Sequence, residues 1–161
     1  MKKLMLIAIL ALTVQSCGTM IKIDSSIDNV VENVILTTDK NDNFVRANEW
    51  MVESFKDAES VIQFADKEGG IVKGKYLLKS GHSYFDDKSY YAIITIRVKD
   101  GASRIEIEPL DKTLHARHYK GYEGTIYANS TVGYTKEMYD ASVKLLIESF
   151  KSRMQSSNID W

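Results

Sequence analysis

The chain has one cysteine and one proline in 161 residues. A lone cysteine excludes a disulfide framework and any cysteine-rich zinc site. One proline and nine glycines exclude collagen-like and low-complexity chains. Charge of one sign is also lacking: 21 Lys and Arg face 22 Asp and Glu, for a formal net charge of −1. A nucleic-acid binder would show a cationic surplus, so no nucleic-acid partner is expected. No apolar run approaches the ~20 residues that a membrane-crossing helix needs. What is present is globular: 44% hydrophobic and 27% charged residues, in a length that suits one domain.

The first informative segment is the leader. Met1, Lys2 and Lys3 are followed by Leu4 to Val14, an apolar run broken only by Thr13. As a helix this run would reach about 16 Å, against about 30 Å of bilayer hydrocarbon. It has the charge and length of a secretory leader. The run ends at Val14-Gln15-Ser16-Cys17, with an aliphatic residue three before the cysteine and a small one just before it. This resembles the lipobox of bacterial lipoproteins. The resemblance implies a diacylglyceryl group on the Cys17 thiol, cleavage before Cys17, and a palmitate-type acyl chain on the new amine. Several acyl chains together anchor stably where one does not.

The domain plan expected is a signal peptide over 1–16, a tether over 17–29, one domain over 30–155 and a tail over 156–161. Gly18 to Asn29 is polar and turn-prone, which suggests the tether, with room for a short extended piece at Met20 to Ile23. Removing 1–16 takes away two lysines and no acids, leaving 19 basic and 22 acidic residues and a net charge of −3. Such a body should hang from its lipids and not lie on anionic headgroups. No acidic run follows Cys17 to mark it for surface export. The expected location is therefore the periplasmic side of an envelope membrane, the outer membrane first.

Val30 to Thr38 is β-branched and predicts a strand. A helix should follow from an Asp42 or Asn43 cap to Ala58, with Phe44, Ala47, Met51, Phe55 and Ala58 as its apolar stripe and Trp50 on the flank. Strands are predicted over 61–65 and 71–78, joined by a hairpin through Gly69-Gly70. Gly74, in mid-strand, suggests a bulge or the close approach of a helix.

The next hairpin is the most tightly specified. Asp100-Gly101 is a two-residue turn that pairs Lys99 with Ala102. Val98 then faces Ser103, Ile96 faces Ile105 and Ile94 faces Ile107. That alignment puts aliphatics on one face and Arg97, Arg104, Glu106 and Glu108 on the other; a one-residue slip would invert both. Thr113 to Lys120 could extend a strand, and 121–133 reads as a loop. Thr135 should cap a last helix to Met154, with Tyr139, Val143, Leu146, Ile147, Phe150 and Met154 as its stripe. The class is α+β, in the order β-α-β-β-β-β-α, with about five strands in one sheet.

The helix with Phe44, Trp50 and Phe55, the strand Val61-Ile62-Gln63, the turn Asp66-Lys67-Glu68-Gly69-Gly70, the segment Ile71-Val72-Lys73-Gly74-Lys75 and the turn Lys99-Asp100-Gly101 with Arg104 follow one another in a definite order. Over residues 30–110 they resemble the domain of unknown function 4468, a family of envelope proteins. The resemblance implies a TATA-binding-protein-like fold, a curved antiparallel sheet with both helices on one face. It implies no activity.

Candidate chemistry is sparse. His115 and His118 would share a face on a helix, but on a strand they point opposite ways, which disfavours a metal site. Asp86-Asp87 and His82 lie in a polar stretch that suits a solvated turn. No nucleophile–base arrangement is recognisable, so neither an enzyme nor a cofactor is expected. Trp50 could be a stacking platform, but its periodic partners favour a core position. Tyrosines gather around 111–134, and Tyr119, Tyr122 and Tyr127 are the candidate ligand-binding residues, because tyrosine-rich loops suit recognition. The expected role is a lipid-anchored, non-catalytic binding or association module with an envelope protein as partner. The alternative is a small-ligand or glycan binder using the 111–134 loop, with an uncharacterised enzyme third.

Overall fold

A computed structural model describes residues 19–55, 61–81, 88–120 and 129–156. The fold is α+β, with two helices and two antiparallel sheets. The strands are β1 (Thr19–Ser26), β2 (Val30–Ile35), β3 (Val61–Asp66), β4 (Ile71–Lys79), β5 (Tyr90–Lys99), β6 (Ala102–Pro109), β7 (Thr113–Lys120) and β8 (Ser130–Gly133). The helices are α1 (Lys40–Ser54), between β2 and β3, and α2 (Lys136–Gln155), after β8. The larger sheet has the order β2-β6-β5-β4-β3 and the smaller one β1-β7-β8.

The expected five-stranded sheet is therefore present, but the single-sheet order is incomplete. Residues 19–26, expected within the tether, form β1 and pair along their whole length with β7, from Thr19 opposite Lys120 to Ser26 opposite Thr113. The polar residues suggested a linker. Met20, Ile21 and Ile23 nevertheless have good β-propensity, and β7 offers them a continuous ladder. The lone proline, Pro109, closes β6 beyond the last residue paired with β2, where its missing N–H costs no ladder bond.

The β5–β6 hairpin has the alignment expected, Lys99 opposite Ala102 through Ile94 opposite Ile107. Ile94, Ile96, Ile105 and Ile107 are fully buried, while Arg97 and Arg104 stay exposed on the open face. β2 and β4 extend the buried rows with Val34 and Val72. A register shift in β3 between Ile62 and Phe64 lies opposite Gly74, so the bulge belongs to the neighbouring strand.

Both helices cover the aliphatic face and touch each other. α2 buries Tyr139, Val143, Leu146, Phe150 and Met154, the stripe expected apart from half-buried Ile147. α1 begins three residues before its predicted start. Asp39 is its cap, accepting from the Asp42 N–H at 3.0 Å. Asn43 is buried instead: its Nδ2 donates to the carbonyls of Thr38 at 3.2 Å and Lys99 at 2.9 Å, tying the first turn of α1 to the hairpin. The Asp100 carboxylate accepts from the Lys40 N–H at 2.8 Å, and the Gly101 N–H donates to the Thr38 carbonyl at 3.0 Å. The turn that sets the register is thus also the socket for α1. Trp50 sits at the centre of the buried stripe and not on its flank, with Phe44 and Phe55 at half-buried positions.

Two glycines separate backbone strain from crowding. Gly101 has φ +72°, but a Cβ there would meet nothing closer than 3.6 Å. Gly70 has φ +66°, and a Cβ would lie 2.5 Å from the Val98 carbonyl oxygen. Gly101→Ala should cost about 1 kcal/mol, from φ alone. Gly70→Ala should cost on the order of 3 kcal/mol, as crowding adds to strain. Urea midpoints of the two variants against the parent check this; equal losses would contradict it.

Candidate functional site

Only some of the sequence candidates fall among the described residues. Cys17, Tyr122, Tyr127, His82, Asp86 and Asp87 lie outside the described residues. Tyr119 lies on β7, half-buried, opposite Met20 on β1 and Ser130 on β8. His115 and His118 are also on β7 and face opposite ways, as the strand period requires. His115 Nδ1 is 2.8 Å from Asp24 Oδ1 and His118 Nδ1 is 3.0 Å from Thr131 Oγ1. Among the described residues no group of three His, Cys, Asp or Glu side chains is assembled as a metal would need.

Trp50 is 1% exposed, packs edge-on against Phe150 at 5.3 Å and donates its indole N–H to Ser149 Oγ at 3.0 Å. It is core, with its one polar atom satisfied. The exposed apolar patch an association module could have carried around Ile71, Leu77 and Ile93 is muted, since all three are half-buried and Lys75 lies 3.7 Å over the Tyr91 ring.

The described residues line shallow grooves at two places on α2. One, of about 390 Å³, runs between Tyr76 and Leu78 of β4 and Ser142, Leu145 and Ser149 of α2. The other, of about 610 Å³, lies between the β2–α1 loop and the end of α2. Arg46, at its floor, donates Nη1 to the carbonyls of Met154, at 3.2 Å, and Ser156. That cation caps the last carbonyls of α2 and is committed to structure. Tyr119 lines neither groove.

The strands of the smaller sheet hold Lys22, Arg117 and Lys120 with Asp24 as their single acid. By register Met20, Lys22 and Asp24 share a face with Tyr119, Arg117 and His115, while Ile21 and Ile23 share the other with His118 and Ala116. Ala116 and Leu114 are buried, so the Ser26 end of β1 joins the core; Met20 and Ile21, at the other end, are exposed. The His115 hydrogen bond, then Lys22, holds the Asp24 carboxyl below the usual carboxylate range. The sequence allows an extended piece at Met20 to Ile23 but gives no sign of its pairing with β7, so this surface was not anticipated. The only signal was the apolar alternation in Met20-Ile21-Lys22-Ile23.

No family model matches the chain, and no curated protein does. The structure is similar to the crystal structure of a DUF4468 family protein from Bacteroides ovatus ATCC 8483. Identity is 12% over 83% of this chain and 89% of that one, with a TM-score of 0.49.

Tyr134 and Tyr139, buried at the junction of the two sheets, titrate late, chiefly because burial disfavours the phenolate. Tyr134 packs 5.1 Å from Tyr90 and 6.4 Å from Tyr139 between ring centroids. Tyr139 donates its hydroxyl to the Asp28 carbonyl at 3.2 Å, and burial pushes its phenol up to about 12, with neighbouring Tyr134 adding. The unfolded phenol ionises near pH 10. A raised folded value means the unfolded state loses its proton first, so stability should fall as pH rises from about 10 towards 12. Tyr139→Phe should flatten that fall. Thermal melts across the range check it, and an unchanged slope would contradict it. Trp50→Ala should lower stability by about 3–5 kcal/mol; a loss below about 1 kcal/mol in urea titrations would place Trp50 outside the core.

Proposed function

We propose that this chain is a lipid-anchored envelope protein whose folded body is a non-catalytic binding or association module. The leader carries the reading: a short cationic start, an apolar run too short to cross a bilayer, and the only cysteine at the point where a lipobox would place it. The Cys17 thiol and the amine freed by cleavage would carry the acyl chains. The location that follows is the periplasmic face of the outer membrane. The partner class is the membrane itself, through the anchor, with an envelope protein as the second.

Membership of the DUF4468 family, with the curved TATA-binding-protein-like sheet it implies, is part of the proposal. It rests on the ordered motifs between Phe44 and Arg104. The fold name carries no DNA-binding role. The open sheet face mixes Lys73, Lys75, Arg97 and Arg104 with Glu106 and Glu108, a balance unsuited to releasing phosphate counterions.

The test is direct. With labelled fatty acid in the growth medium, the parent should carry label and sediment with membranes. Cys17→Ala should lose the label and leave the membrane fraction. Label retained by Cys17→Ala would refute the anchor.

A further inference from the structure

We propose that the Thr19 end of the smaller sheet is a docking surface for an anionic phospholipid bilayer. The inference rests on the anchor reading, because Thr19 is separated from Cys17 by Gly18 alone. Three observations carry it. Met20 is 56% and Ile21 47% exposed, at the end of β1 that projects beyond the core. By the β1–β7 register Lys22 and Arg117 share Met20's face and Lys120 shares Ile21's, and all three are exposed. Asp24, the one acid of these strands, lies farther along β1 and is already engaged by Lys22 at 2.9 Å and His115 at 2.8 Å.

The net charge of the mature chain conceals this separation. Three cations and one acid give the smaller sheet +2, so the rest of the mature chain carries −5. An anionic surface at the anchor would attract this sheet, which carries Lys22, the first cation after Cys17. Met20 and Ile21 would sit among the headgroups beside the acyl chains, with the cations on the phosphates. Each net positive charge near such a surface favours binding by roughly fivefold, so a net charge of +2 gives roughly 25-fold. The body is therefore held against the bilayer, contrary to the hanging arrangement that net charge alone suggests.

The test uses full-length protein purified from membranes and reconstituted in two vesicle types: phosphatidylcholine alone, and phosphatidylcholine mixed equally with phosphatidylglycerol. A membrane-impermeant amine-acetylating reagent is applied and each lysine read by mass spectrometry. The same spectra show whether the chain begins at an acylated Cys17. On phosphatidylglycerol vesicles, Lys22 and Lys120 modification should fall by roughly tenfold while Lys144 on α2 is unaffected. Arg117→Glu, at an exposed position, should restore Lys22 modification. An acylated protein whose Lys22 and Lys120 react equally on both vesicle types refutes the docking surface and leaves the anchor standing. An unacylated protein still shielded on phosphatidylglycerol refutes the anchor and leaves the docking surface standing. Full reactivity without acylation refutes both.

Discussion

The alignment of β5 with β6 is the constraint from which the rest of the fold follows. A side chain on a strand has only two faces to choose from, so a single-residue slip would exchange Ile94, Ile96, Ile105 and Ile107 for Arg97, Arg104 and Glu106 beneath the helices. Burying those charges without partners would cost more than a domain of this size has in net stability. The Asp100-Gly101 turn fixes the alignment locally, and the same turn receives α1 through Asp100, Gly101 and the buried Asn43. Strand pairing and helix docking are therefore set at one place. β2 and β4 add outward from the hairpin, and α2 closes the core with Phe150 against Trp50.

The smaller sheet follows a different logic. It buries its aliphatic side only at one end, through Leu114, Ala116 and Tyr134, and leaves the other end to solvent. A strand with exposed Met20 and Ile21 beside an unpaired edge is ordinarily an aggregation liability. At one residue from a proposed acyl anchor, the same features suit an interface with lipid. Stability thus resides in the larger sheet and its helices, whereas the surface nearest the proposed anchor resides in the smaller one.

Much of the larger sheet was legible in the sequence because one physical rule dominated each part. The period-two alternation of β5 and β6 left a single acceptable alignment, and the three- and four-residue spacing of Tyr139, Val143, Leu146, Phe150 and Met154 described α2. The start of α1 was less legible, since Asp39, Asp42 and Asn43 are all good caps and only tertiary contact decides that Asn43 turns inward to Lys99. β1 was not legible as a strand of the folded body. Its polar residues resemble a linker, and its partner β7 lies about ninety residues away in sequence. Of the tyrosines around 111–134, Tyr134 is core and Tyr119 sits within a sheet, a difference that nearness along the chain did not signal.

The residue at which the folded body begins fixes how closely the anchor holds it to the membrane. Residue-resolved hydrogen exchange on the protein extracted from membranes reads this directly. The β1 amides between Thr19 and Ser26 that face β7 should be protected by at least an order of magnitude over an unstructured chain, as a paired strand requires. Exchange of this whole segment at the unstructured rate would return it to a tether and contradict the close placement of the sheet against the bilayer.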